Sequence, residues 1–173
     1  MKIYFARYGE KEENGDGFEL SEHGERQVRM LARRLKQEKI NISKVYTASY
    51  NHLERASEIL SKTLYVPIFR DDRLQEIGDS IFQRELSEDD FLLLDTVKLF
   101  VNELIERNSD VLLVLPHCII RVIMSYLIGL PLKAMNYFNL DFGSFSMSEC
   151  SLDGGRLRCN LRFFNDTTHL RVP

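Results

Sequence analysis

Three stretches of the chain carry residue types that suit the handling of an anion: "FARYGE" (5–10), "YNHLERA" (50–56) and "LPHC" (115–118). Arg7 and Arg55 are fixed cations whose planar forks match phosphate or carboxylate. His117 can change charge near neutral pH, and Glu76 in "RLQEIG" can give or take a proton. Tyr8 stands between Arg7 and Gly9, a phenol with an ordinary pKa of about 10. Two arginines, a histidine and a glutamate meeting at one place would make an anion pocket with an acid/base group attached.

Such a meeting has to be arranged by strands and helices. "KIYFAR" (2–7) reads as a short buried strand, followed by a polar loop "GEKEENGDGFEL" (9–20). Ser21 suits an N-cap, and Val28, Leu31, Ala32 and Leu35 fall on one helical stripe behind it. "KVYTA" (44–48) predicts a second strand, residues 53–64 a helix, and "VPIFR" (66–70) a third strand before the loop "DDRLQEIGDS". Helical spacing returns over 89–107, and "DVLLVLP" (110–116) has the unbroken apolar run of a central parallel strand. "IIRVIMSYLIG" (119–129) reads as a helix closed by Gly129 and Pro131. "SFSMSEC" and "GRLRCNLRF" read as a hairpin turning at "SLDGG". Alternating strands and helices predict an α/β fold, a three-layer sandwich with a mostly parallel central sheet, helices on both faces and a C-terminal β-hairpin. Residues 1–173 read as a single domain, with no repeat or linker. In such sheets ligands gather beyond the carboxyl ends of the strands, where Arg7, Arg55, Glu76 and His117 all fall.

Composition narrows the classes. A net charge of −3 with interspersed signs gives no basic footprint, so no nucleic-acid partner is expected. The longest apolar run, "VLLVLPHCII", is too short to span a bilayer, and no signal peptide is read at "MKIYFAR". Cys118, Cys150 and Cys159 are odd in number and match no zinc pattern, which points to a reducing, cytoplasmic setting. No metal or cofactor is expected, because the clustered polar groups are mostly cationic.

Taken in order, these pieces resemble the histidine phosphatase superfamily, also called phosphoglycerate mutase-like, over nearly the whole chain. The family's opening Arg-His-Gly-Glu, with an Asn seven residues after the Arg, is met by Arg7, Tyr8, Gly9, Glu10 and Asn14. "ELSEHGERQV" is similar to its first helix start, and "ERASEIL" to its Arg-Ala-x-x-Thr-Ala. "LQEIG" is similar to the segment holding its proton donor, and "VLLVLPHCIIRVIMSYLIGLPL" to its second catalytic histidine with the flanking strand and helix. "FNDTTHL" matches its ending. The resemblance implies phosphate monoester hydrolysis, with phosphate held by Arg7, Arg55, Asn14 and His117, and Glu76 as proton donor. It also implies a small phosphorylated molecule or inorganic phosphate as the partner, since the short segment from Glu76 to His117 looks like the compact phosphatase branch. Two departures stand out: the loop from Tyr46 to Arg55 is longer than the family norm, and Tyr8 replaces the nucleophilic histidine.

A phenol is a poor substitute. At pH 7 only roughly one in a thousand is ionised, its phosphate ester resists hydrolysis, and its hydroxyl projects where phosphorus should sit. Hydrolysis is therefore expected to be impaired or lost. The alternatives are a working phosphatase using Tyr8 or a water activated by His117, a non-catalytic interaction module, and a tyrosine introduced to silence an active parent. Tyr8 reads equally as plain core packing. "HC" followed by Arg121 suggests the His-Cys-x5-Arg loop of cysteine phosphatases, but position 124 is Met and the loop lacks the glycines that cradle phosphate. His23 and His52 read as surface or loop residues, and His169 as an anchor for the C-terminus.

Overall fold

The computed structural model describes residues 1–14 and 17–171, without the side chain of Asn14. In chain order the elements are β1 (Lys2–Arg7), β2 (Lys11–Asn14), β3 (Gly17–Leu20), α1 (Glu22–Gln37), β4 (Lys44–Thr47), α2 (Asn51–Leu64), β5 (Ile68–Arg70), α3 (Glu88–Arg107), β6 (Val111–Leu115), α4 (His117–Ile128), β7 (Phe145–Asp153) and β8 (Arg156–Asp166). The central sheet has the order β5-β4-β6-β1-β7-β8. β5, β4, β6 and β1 run parallel, and β7 and β8 add an antiparallel edge. Helices flank the sheet, α1 packing on α2 and α3 on α4. This is the expected three-layer α/β fold.

Local chemistry explains the elements. β6 is buried at all five positions, which only apolar side chains tolerate in a strand covered on both faces. Ser21 caps α1 by accepting from the Gly24 amide at 3.0 Å, and α3 opens on a Ser87–Asp90 capping box. α4 has no polar cap; Pro116 stands at its start and Gly129, at φ 69°, ends it in a left-handed turn. The terminal hairpin turns through Gly154 (φ 57°) and Gly155 (φ 79°), the paired positive angles of a type I′ turn.

The expected loop over 9–20 is instead largely a hairpin: β2 and β3 pair antiparallel, Lys11 opposite Leu20. β-branched residues are scarce there, so periodicity gave no strand signal. α2 starts at Asn51 rather than 53, and α4 at His117 rather than 119. Cys150 and Cys159, part of an odd and unpatterned set in the sequence, face each other across β7 and β8 and are bonded. Among the described residues no helix is long and apolar enough to cross a membrane.

Candidate functional site

Strand register builds the site. Arg7, the last residue of β1, lies beside Leu115, the last of β6. Tyr8 and His117 therefore leave neighbouring parallel strands at the same rim. On the other side of β6, Thr47 of β4 pairs with Val114, which brings the start of α2 to that rim too. Beyond it, Arg70 pairs with Thr47 and leads into the segment carrying Glu76.

The exit from β1 is held by a backbone-to-backbone approach. A Cβ on Gly9 would sit 2.1 Å from the Gly24 carbonyl oxygen, and one on Gly24 would sit 2.0 Å from that of Glu10. Only glycine at both positions lets the turn after Tyr8 lie against the first turn of α1. The Glu10 amide donates to Gln27 Oε1 at 2.8 Å, and the Gly143 amide donates to the Tyr8 carbonyl at 2.9 Å.

Tyr8 is 2% exposed. Its ring centre lies 4.5 Å from that of His52 and 5.7 Å from that of Phe142. Burial pushes its hydroxyl up to about 12; Glu76 adds to the rise, while Arg7 opposes it. Arg7 donates to the Leu140 carbonyl, and its guanidinium carbon stands 3.8 Å from the centre of the Phe142 ring. Burial lowers the pKa of Arg7, against the pull of Tyr8, Asp141 and Asp79. It stays charged at any physiological pH.

His117 is the first residue of α4, where the leading amides of a helix lack intrahelical partners and favour anions. Its Nε2 lies 2.8 Å from Asp79 Oδ2. Asp79 also accepts from Arg121, one turn further along α4. Glu76 is exposed, its amide donates to the Tyr50 hydroxyl at 3.3 Å, and its charge acts on Tyr8, His52 and Cys118. Arg7, Tyr8, Glu76 and His117 thus share one rim.

Arg55 lies elsewhere on α2. Among the described residues its ion-pair partners are Glu25 and Glu58, at 2.5 and 3.6 Å. It lines a cavity of about 230 Å³ with Glu19, Leu20, Glu25 and Asn51. The α2 residue that reaches Tyr8 is His52, 3% exposed, with its Nε2 buried and, among the described residues, unpartnered. His52 is thus no surface or loop residue. Burial, with Lys11 nearby, lowers its pKa and keeps it neutral at pH 7. The missed signal was the stripe His52, Leu53, Ala56, Ile59, Leu60, buried along α2, while Arg55 and Glu58 lie off it. Asn14 closes β2, and its side chain lies outside the described residues.

Cys118 is 1% exposed, and burial pushes its thiol up to about 11, so the thiolate that a cysteine phosphatase needs is absent near pH 7. His169 donates from Nε2 to the Gly143 carbonyl oxygen at 2.9 Å, which ties the C-terminal turn to the sheet. Among the described residues no three metal-ligating side chains come together.

A mostly parallel sheet flanked by helices and closed by a C-terminal hairpin defines a fold of the phosphoglycerate mutase type. The chain belongs to the histidine phosphatase superfamily, branch 1, whose family model matches residues 3–90. A 91-residue stretch is 30% identical to the "Probable phosphoglycerate mutase GpmB" of Photorhabdus laumondii, covering 49% of this chain and 41% of that protein. The match therefore spans less than half of that relative's length. Among solved structures, YhfR of Bacillus stearothermophilus superposes with a TM-score of 0.77 at 18% identity, over 98% of this chain and 99% of that one. The alpha-ribazole phosphatase of Shigella flexneri gives 0.75 at 18%, over 96% and 97%. A histidine-to-alanine mutant of the Entamoeba histolytica phosphoserine phosphatase, in complex with phosphoserine, gives 0.73 at 16%, over 98% of each chain. At these identities the likeness establishes the fold.

Proposed function

We propose that the protein binds a small phosphomonoester or inorganic phosphate at the sheet rim through Arg7 and His117, and hydrolyses it poorly or not at all. In this reading Tyr8 stands in the place of the nucleophilic histidine, and Glu76 in that of the proton donor. Support for binding comes from Arg7 and His117 on adjacent strand ends and from the start of α4 beside them. The phosphatases named above cover the chain almost end to end, which favours a hydrolase ancestry over a mutase one. The phosphoserine complex of a histidine-to-alanine mutant shows, for that protein, a phosphorylated ligand bound without one histidine.

The observation that carries the loss of turnover is the buried, proton-holding phenol of Tyr8. With its pKa at about 12, roughly one molecule in a hundred thousand is phenolate at pH 7. That also weighs against Tyr8 acting as a nucleophile in a working phosphatase. The test is hydrolysis of p-nitrophenyl phosphate by wild type, Tyr8→His, and Tyr8→His with His52→Arg. Turnover confined to the His-containing variants is expected; wild-type turnover equal to theirs would refute the reading.

A further inference from the structure

Asp79 is the acidic group that meets the cations of the rim. One carboxylate oxygen lies 2.8 Å from His117 Nε2, and the other accepts from Arg121. Arg121 is only 5% exposed. Among the described residues it also donates to the Met135 carbonyl at 3.4 Å and lies over the face of Phe82, 4.1 Å from the guanidinium carbon, while its Nε is buried without a partner. A buried guanidinium needs an anion, since an uncompensated buried charge is strongly destabilising. Here that anion is half exposed and comes from a short turn. Asp79 also acts electrostatically on Arg7, so its carboxylate faces both guanidinium groups as well as His117.

Arg55, expected as the second phosphate-binding cation, has acidic partners of its own. Arg55 is engaged by Glu25 and Glu58, and His52 is neutral. We propose that Arg121 is the second guanidinium of the anion site, and that Asp79 is an internal stand-in for the ligand, occupying on His117 and Arg121 the position a phosphoryl group takes. This rests on the phosphate-binding reading above. A carboxylate and a phosphoryl group both offer two oxygens to a histidine and an arginine fork, so one can replace the other without leaving either side chain bare. Ile81 and Phe82, each 2% exposed, anchor the far end of the turn. Exchange therefore needs only the Asp79 side chain to swing into solvent, about the backbone after Gly78. Ligand binding is then an exchange of anions, and the site discriminates against weakly charged ligands that cannot displace a carboxylate.

The experiment is calorimetric titration of the full chain with inorganic phosphate, for wild type, Asp79→Asn, Asp79→Asn with Arg121→Met, and Arg7→Met, each checked for folding by circular dichroism. Removing the internal competitor should tighten phosphate binding about tenfold, and Arg121→Met should cancel that gain. Binding by Asp79→Asn that is unchanged or weaker overturns the inference, as does a gain that survives Arg121→Met. If Arg7→Met still weakens binding in that case, the phosphate-binding reading stands alone. If no protein binds phosphate, both fall. Because the variants risk unfolding, carboxyl-carbon NMR of aspartate-labelled wild type supplies a second readout at constant pH. The Asp79 resonance should move as phosphate saturates the protein, and a resonance that stays still overturns the exchange.

Discussion

The acidity of Tyr8 is the quantity on which loss of turnover depends, and it can be measured alone. Replacing Tyr8 by Phe keeps the ring between His52 and Phe142 and deletes only the hydroxyl. In the folded protein the phenol titrates at about 12, because burial and Glu76 outweigh Arg7; in an unfolded chain it titrates near 10. Two units correspond to about 2.7 kcal/mol. The folded state holds this proton more tightly, so its share of stability is complete below pH 10 and is lost as pH rises through 12. Wild type should therefore lose about 2–3 kcal/mol more than Tyr8→Phe between pH 10 and 12 in urea unfolding. Burial also raises Tyr4, but that effect is common to both proteins and cancels in the difference. Ultraviolet phenolate absorbance, wild type minus variant, should show a component rising near pH 12. A component with a midpoint at or below about 10 would mean that Arg7 wins, and the inert-phenol argument would fail.

Two further outcomes follow from the scaffold. Gly9→Ala places a methyl group 2.1 Å from the Gly24 carbonyl oxygen, so it should cost about 3 kcal/mol or more; a loss under about 1 kcal/mol in urea unfolding would contradict the close approach. At Asp166, burial opposes the charge, but hydrogen bonds from Arg34 and from the amide and hydroxyl of Thr168 hold the carboxyl down at about 2. Its stabilisation should be present above about pH 4 and disappear as pH falls through 2, so Asp166→Asn should cost about 2 kcal/mol at pH 7 and nothing in strong acid.

The sheet was legible because its strands alternate cleanly with helical stripes, and because "VLLVL" has room for no other role than a central strand. Arg7 and His117 were legible for the same reason: each follows a strand whose end is obvious. The α2 side was harder. Arg55 carries the motif residues around it, yet His52 takes the inward position on α2. Counting the buried stripe backwards from Ala56 would have found it; matching the motif alone did not. Asp79 left no local signal, since its role depends on a turn folding across α4. The β2–β3 hairpin was hidden by its charged composition, because Lys11 and the glutamates that follow read as solvated loop.

The side chains at positions 8 and 52 have one physical consequence. A phosphate pocket holds fixed cations around a volume that is empty until the ligand arrives. Between β1 and α2 rings pack together: Tyr8 on His52 and Phe142, with the Arg7 guanidinium stacked on Phe142. Burial and Lys11 keep His52 neutral, so α2 adds no charge there. The fixed positive charge lies instead on the α4 side, on Arg121, where Asp79 meets it beside His117. Restoring an imidazole by Tyr8→His supplies a nucleophile but no cation on the α2 side. The variant carrying His52→Arg as well should therefore turn over p-nitrophenyl phosphate about tenfold or more faster than Tyr8→His alone, one fixed cation on a transferring phosphoryl group being worth at least that much. Equal rates for the two would mean that the α4 cations suffice, and that the nucleophile alone was missing.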